Sequence, residues 1–214
     1  MSTLFNSKDL ASMSSRYRAH FINSLSGFKS ANLLGSINQE GISNLAMISS
    51  VVHLGANPAL IGYITRPQTV RRDSVDNILA TEVFTLNHVT PEMLPAAHQT
   101  AAKYPADISE FSACGFTEGY VEGFAAPFVQ EAEISIGLRW IECVPIRHNG
   151  TQLVIGQIDW VKVPEAAIND DGYVAIESLN SVAISGLDGY HQTRRIGRFT
   201  YPDLEQDPQV VRSK

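Results

Sequence analysis

Cysteine is scarce: Cys114 and Cys143 are the only two in 214 residues, and neither sits in a CxxC or zinc-ligand spacing. A disulfide scaffold and a thiolate metal centre are therefore not expected, and two buried free thiols are. Histidine is equally uninformative for metals. His20, His53, His88, His98, His148 and His191 form no HxH or HxxxH pattern, so no metal site is expected. Gly-x-Ser-x-Gly is absent and no Ser-His-Asp set is legible, which leaves hydrolysis without support. Basic excess is missing too. Lys plus Arg total 16 against 22 Asp plus Glu, a net charge of −6 and a pI near 5.5. Nucleic-acid binding by general electrostatics is thereby disfavoured, because few counterions could be released from a phosphate backbone. No apolar run approaches the roughly 18 residues of a membrane span. The opening MSTLFNSKDL lacks the basic start and apolar core of a signal peptide, so the expectation is a reducing, cytoplasmic location with no membrane partner.

What is present describes a globular chain, with 44% hydrophobic and 18% charged residues. The length suits one core, and neither an internal repeat nor a linker divides the chain. A single domain over 1–214 is expected, with its core at about 25–200. Residues 1 to about 12 carry little pattern and read as an arm that orders on a partner surface. Tyr17, Phe21, Ile22 and Leu25 recur at helical spacing, predicting a helix over about 15–25 that Gly27 ends. Phe28–Ile37 reads as a strand, turned by Asn38-Gln39-Glu40-Gly41. Gly27-Phe28-Lys29-Ser30 resembles the end of a P-loop only superficially, since the Gly before Lys is missing.

The local signals concentrate between Gly41 and Ile78. Leu45–Leu54 is rich in Ile and Val and suits a buried strand, interrupted by Ser49 and Ser50. Asn57-Pro58 marks a turn, Ala59–Thr65 a second strand, and Arg66-Pro67 its end. Asp73 reads as an N-cap for a helix over 73–81 with Val75, Ile78 and Leu79 on one face. Arg66, Arg71 and Arg72 thus share a loop entering a helix N-terminus, where unpaired N–H groups and the helix dipole favour an anion such as phosphate. The same three arginines also fit an ordinary solvated face.

Further on, Val83–Val89 reads as a strand and Thr90 as the cap of a helix over Pro91–Lys103. Asp107 begins a short helix through Ser112 that Gly115 closes. From Phe128 the period is two: Ile134, Ile136, Leu138 and Trp140 alternate with Ser135, Gly137 and Arg139. His148-Asn149-Gly150 then turns the chain into Leu153–Val163. A polar loop at Asn169–Gly172 leads to a weakly periodic stretch, and 201–214 reads as a flexible tail. Six or so strands with inserted helices predict one mainly β, barrel-like domain.

Two segments carry a family resemblance. GISNLAMISSVVHLGANPALIGYITRPQTVRRDSVDNILATEVFTLNHV resembles the flavin reductase-like family of FMN-binding split barrels: Gly-x-Ser/Thr-Asn, a small-residue strand with Ser, Pro, an apolar strand, a basic Thr-containing loop, then Asn-Ile. HQTAAKYPADISEFSACGFT is similar to the family's Tyr-Pro segment, followed by Asp or Ser, Glu-Phe and Gly-Leu/Phe-Thr. With the paired strands at 130–163, the resemblance covers about 25–200. It implies a mainly β fold with inserted helices, a split β-barrel with Greek-key-like connections. It also implies FMN (FAD being possible), NADH or NADPH as hydride donor, and a homodimer with the flavin near the subunit interface. Ser49 and Ser50 would meet the ribityl chain and ring edge, and Arg66, Thr69, Arg71 and Arg72 the phosphate. Asn44, and Lys103 with Tyr104, match recurring family positions. Arg-Asp-Ser at 72–74 departs from the family's commoner Lys/Arg-Asp-Thr, leaving Ser74 or Thr69 to supply the hydroxyl. His98, Tyr104, Tyr190 and His191 are substrate-side candidates, or else structural hydrogen-bonding residues. Three activities fit: an NAD(P)H-dependent flavin reductase, a flavin-binding module without turnover, or a flavin-dependent enzyme with its own organic substrate. Flavin supplies its own reactivity, so the lack of an obvious acid/base pair is no obstacle.

Overall fold

The computed structural model describes residues 1–67 and 73–211. Seven strands form one antiparallel sheet in the order β3-β2-β6-β9-β10-β5-β4. They are β2 (Asn32–Ile37), β3 (Ser43–Ile48), β4 (Val51–Ala56), β5 (Ala59–Thr65), β6 (Val83–His88), β9 (Ser135–Ile146) and β10 (Thr151–Lys162). The two edge strands, β3 and β4, are consecutive in the chain and separated only by Ser49 and Ser50. The sheet therefore curls until its edges are two halves of one bent segment, which makes a barrel split at that bend.

Local chemistry sets these elements. Between β2 and β3 the Asn38 side chain accepts from the Glu40 and Ile42 N–H groups, and Gly41 takes φ +84°, a left-handed turn position that glycine adopts without strain. Inside the barrel Leu34, Phe84, Leu86, Leu138 and Val154 are at most 1% exposed, with Tyr63 at 3%. A second cluster on the other face of β2 joins Leu33, Leu45, Val89, Phe111 and Val129. β2 and β6 are buried on both faces, the polar Asn32, Ser36, Thr85 and Asn87 included.

The helices are α1 (Ser7–Ser12), α2 (Ser15–Leu25), α3 (Asp73–Thr81), α4 (Leu94–Gln99) and α5 (Glu110–Cys114). Several boundaries differ from the sequence expectations. Residues 1–12 contain α1, held by a reciprocal capping box between Asn6 and Asp9. The strand expected over Phe28–Ile37 is two, β1 (Lys29–Ser30) and β2. At Ala31 the N–H donates to Val182 O while the carbonyl accepts from Val89, so the chain changes sheets there. Asp73 is the first helical residue of α3, and the buried face is Val75, Asn77 and Ile78; Leu79 is 45% exposed. The helix expected over 91–103 is a short turn at Pro91–Met93 followed by α4. The Thr90 side chain makes no capping bond to it. The helix expected from Asp107 starts at Glu110 and closes at Gly115, φ +78°.

Twelve strands are present among the described residues. Besides the seven, β7 (Glu118–Val121) pairs with β8 (Phe124–Val129), and β11 (Val182–Ser185) pairs with both β1 and β12 (Gly189–Gln192). β8 runs close over the barrel: a Cβ at Gly35 would lie 2.4 Å from Pro127 O and 2.5 Å from Thr85 Oγ1. Residues 198–211 fold back through a Phe199–Val210 bridge. Both cysteines are free and half-buried rather than buried.

Candidate functional site

The bend at Ser49-Ser50 is where the barrel opens. An edge strand that leaves its ladder exposes backbone groups, and here a hydroxyl replaces the missing partner. Ser50 Oγ donates to Ile64 O at 2.7 Å and accepts from Ile64 N at 3.2 Å, while Ser50 O also accepts from Ile64 N. Ser50 thus couples β3/β4 to the end of β5. Ser49, half-exposed on the bend, makes no side-chain hydrogen bond among the described residues.

The outer edge of β3 has no strand beside it, yet its N–H groups are capped by side chains from α4 and α5. Met47 N donates to Thr100 Oγ1 at 3.0 Å, and Thr100 in turn donates to Ala97 O at 2.8 Å. Leu45 N donates to Glu110 Oε2 at 2.9 Å. This is one way a natural sheet blocks an edge against adventitious pairing. The same Glu110 oxygen accepts from Asn44 Nδ2 at 2.8 Å, and Asn44 Oδ1 accepts from Ser74 Oγ at 2.6 Å in the first turn of α3. Ser36 Oγ also reaches Asn44 Oδ1 at 3.4 Å and accepts from Asn77 Nδ2 at 3.2 Å. A polar chain therefore runs from α5 through β3 to α3. Burial pushes the Glu110 carboxyl above the usual range, against the lowering effect of the Leu45 N–H and Asn44, with Asp73 adding a further upward push. Beside it Ser43 Oγ contacts Ser109 Oγ at 2.6 Å and donates to Glu118.

These contacts pin both ends of the basic loop. Arg66 emerges two residues past Ile64, which is tied to Ser50, and Ser74 is tied to Asn44. Ser50 and Asn44 are six positions apart along β3 and the bend, at most about 20 Å at strand rise. Arg66 is exposed and makes no ion pair among the described residues. Thr69, Arg71 and Arg72 lie outside the described residues. Asp73 and Asp76 occupy the first turn of α3, where they favour the helix dipole and add negative charge for neighbouring cations to offset.

Lys103 is exposed in the loop after α4. Tyr104, half-buried, accepts from Gln99 at 3.4 Å and meets Cys114 Sγ at 3.5 Å; the contact with that thiol is the main cause holding its hydroxyl above the ordinary tyrosine range. His98 Nδ1 lies 2.6 Å from Tyr190 OH, with the rings edge to face. Burial, then Asp188, raises the Tyr190 hydroxyl. His191 is elsewhere on β12, bonded to Ser185 Oγ at 2.8 Å and packed on Phe28. The substrate-side candidates thus divide into a His98–Tyr190 pair, a separate Tyr104–Cys114 contact and a His191–Ser185 contact. A cleft of about 590 Å³ lined by Met93, Phe116, Glu131 and Leu179 includes none of the predicted site residues. Among the described residues no group of three His, Cys, Asp or Glu is placed to hold a metal, and no helix is long and apolar enough to cross a membrane.

Thr100, Glu110, Ser36 and Asn77 were not legible as site residues. Glu110 stands in the Glu-Phe of the second resemblance segment, which was the one signal available; a lone buried Thr on a helix gives none.

The fold defines a class, an antiparallel split barrel that opens at a bend between its two edge strands. The chain belongs to the flavin reductase like domain family, whose model matches residues 26–177. It is similar to a split-barrel protein of flavin reductase type from Shewanella frigidimarina NCIMB 400, with 43% identity, coverage of 94% of this chain and 100% of that one, and a TM-score of 0.90. Nitrilotriacetate monooxygenase component B from Bacillus cereus shares the fold at 20% identity and TM-score 0.79, covering 91% and 97%. So does Pseudomonas fluorescens 2-nitrobenzoate 2-nitroreductase NbaA at 21% and 0.79, covering 94% and 98%.

Proposed function

We propose that this chain binds FMN beside the bend at Ser49-Ser50 and works as an oxidoreductase that accepts hydride from NADH or NADPH. Family membership carries the class. The observation that carries the site is the pinning of the basic loop at Ser50 and Asn44, which leaves a strip at most about 20 Å long with Arg66, which makes no ion pair among the described residues, at one end. Such a strip fits an extended ligand with one anionic end. Arg66, with Thr69, Arg71 and Arg72, would hold the phosphate; Ser49 and the backbone beside Ser50 would meet the ribityl chain and ring edge; Lys103 would approach from the α4 side. FAD would have to extend its second nucleotide beyond the strip.

Bound flavin supplies the redox chemistry, and the residues supply binding, orientation and water exclusion. A charge-assisted hydrogen bond contributes about 1.5–3 kcal/mol, so two arginines account for much of the roughly 8 kcal/mol of a micromolar complex. The bonds from Thr100 and Glu110 hold β3, the strand that leads into the bend where the ring would rest.

The proposal includes a homodimer. Val52 and Leu54 on β4, Ile141 and Val144 on β9 and Val161 on β10 are 39–50% exposed, and Tyr17, Ile22 and Leu25 on α2 are 42–67% exposed. Apolar side chains in this number on one sheet and one helix mark a surface for association. One domain and a reducing, cytoplasmic setting complete the proposal, the latter fitting two free thiols.

The test is anaerobic mixing of the FMN-loaded protein with NADH and with NADPH while following the flavin absorption band. Rapid bleaching with at least one nucleotide is expected. Bleaching no faster than free FMN would assign binding without turnover, and failure to bind FMN would remove the flavin assignment itself.

A further inference from the structure

Resting on the FMN site just described, we infer that Glu110 is a positioning residue for phosphate recognition, acting through Asn44 and Ser74 on the first turn of α3. Glu110 is 8% exposed and touches neither the bend nor the basic loop in the described residues. Its single oxygen Oε2 accepts from both Leu45 N and Asn44 Nδ2. The first bond fixes β3. The second orients the Asn44 amide, because only with Nδ2 turned toward the carboxylate does Oδ1 face α3, where it accepts from Ser74 at 2.6 Å. Ser74 is the second residue of α3, directly after the connection that bears Arg66 at its other end. Asn44 and Ser74, matched by resemblance to cofactor-contacting positions, are thereby committed to a relay that orients the helix start. Asn44 Oδ1 takes Ser74 and Ser36, and one Nδ2 hydrogen takes Glu110.

The role is selective. Losing the relay loosens the helix start and leaves the ring-side contacts at Ser49 and Ser50 in place, since those are tied to β5 instead. The readout is therefore the ratio of riboflavin to FMN dissociation constants, because riboflavin lacks the phosphate. A well-placed charge-assisted contact makes this ratio on the order of tenfold or more in the unaltered protein. Flavin fluorescence titrations of the wild type, Glu110→Ala, Glu110→Gln, Asn44→Asp and Ser74→Ala make the test, with thermal melts run alongside. Glu110→Ala is expected to bring the ratio toward one while riboflavin affinity stays within about threefold, and Asn44→Asp is expected to bring the ratio toward one. In Asn44→Asp a carboxylate oxygen replaces the donor facing Glu110. Glu110→Gln keeps an amide oxygen able to accept both bonds and is expected to retain the ratio. Should Glu110→Ala fail to fold, Ser74→Ala removes only the last link and is expected to lower the ratio in a folded protein. The inference is overturned if the phosphate preference survives Glu110→Ala or Ser74→Ala, or if FMN and riboflavin weaken in equal proportion. A wild type that binds no flavin, or binds both ligands equally, overturns instead the FMN site on which the inference rests.

Discussion

Replacing Thr100 with valine separates hydrogen bonding from packing at the point where α4 holds the edge of β3. The two side chains are nearly isosteric, and Thr100 is 3% exposed, so valine fills the same space. What disappears is the acceptor for Met47 N at 3.0 Å and the donor to Ala97 O at 2.8 Å. Ala97 O keeps the Thr100 backbone N–H, so it is not orphaned. Met47 N is: β3 is an edge strand, and among the described residues Met47 N makes no other side-chain hydrogen bond. An unpaired backbone donor costs about 1–3 kcal/mol, so a loss of about 2 kcal/mol is expected. For a chain of this size that corresponds to a fall in Tm of about 4–8 °C by calorimetry. Serine keeps both hydrogen bonds and removes only a methyl group, a loss of about 1 kcal/mol. Valine should therefore be the more damaging replacement, the reverse of the order hydrophobicity alone would give. A valine variant as stable as the wild type, with serine the weaker of the two, would refute the proposed clamp.

Two further perturbations probe the buried polar groups. Burial lowers the His88 pKa from 6.5 to about 4, and its Nδ1 bonds Ser181 Oγ at 3.0 Å. Because the folded value is depressed, the full stability is present above pH 6.5. Between pH 6.5 and 4 the unfolded chain takes up a proton that the folded one refuses, and up to about 3 kcal/mol is lost as pH falls. The raised Glu110 carboxyl acts in the opposite sense, so the measurement is the difference between wild type and His88→Gln in urea titrations across this range. A difference independent of pH would exclude His88 as the source. The Tyr63 hydroxyl is buried in the barrel without a hydrogen-bond partner among the described residues, and burial holds it well above its ordinary pKa. Tyr63→Phe should be neutral or stabilising by about 1 kcal/mol, and a loss of 2 kcal/mol or more in the same titrations would show that the hydroxyl has a partner.

The strand content of 45–65 was legible because its signals are local, but the run expected as one buried strand over 45–54 is two, β3 and β4, and β4 is largely exposed because it is an edge strand. Ser49-Ser50 interrupts an Ile/Val run, Asn57-Pro58 turns it, and Arg66-Pro67 stops it. Likewise 73–81 was readable as a helix. The β7–β8 hairpin was not, since Gly119, Ala125, Ala126 and Pro127 lack a clear alternation; it is held by tertiary bonds such as Thr85 Oγ1 to Pro127 O and Val129 N to Asn87 Oδ1. β11 and β12 were missed for a similar reason. Each is only four residues long, and β11 pairs with β12 and with β1, which lies more than 150 positions away. The apolar face of α2 was correctly periodic, yet none of it is buried within this chain, so periodicity announced a surface rather than a core. At the site, the arginine loop and serine bend carried recognisable residue types. The Glu110–Asn44–Ser74 chain did not, because a buried carboxylate becomes meaningful only once folding brings residues 44, 74 and 110 together.

A crystal structure with FMN bound tests the central claim most directly. The account predicts phosphate oxygens within about 3 Å of the Arg66 guanidinium, as a hydrogen bond requires, and the flavin ring beside Ser49 and Ser50. Density for the flavin elsewhere, with Arg66 turned to bulk solvent, would contradict it.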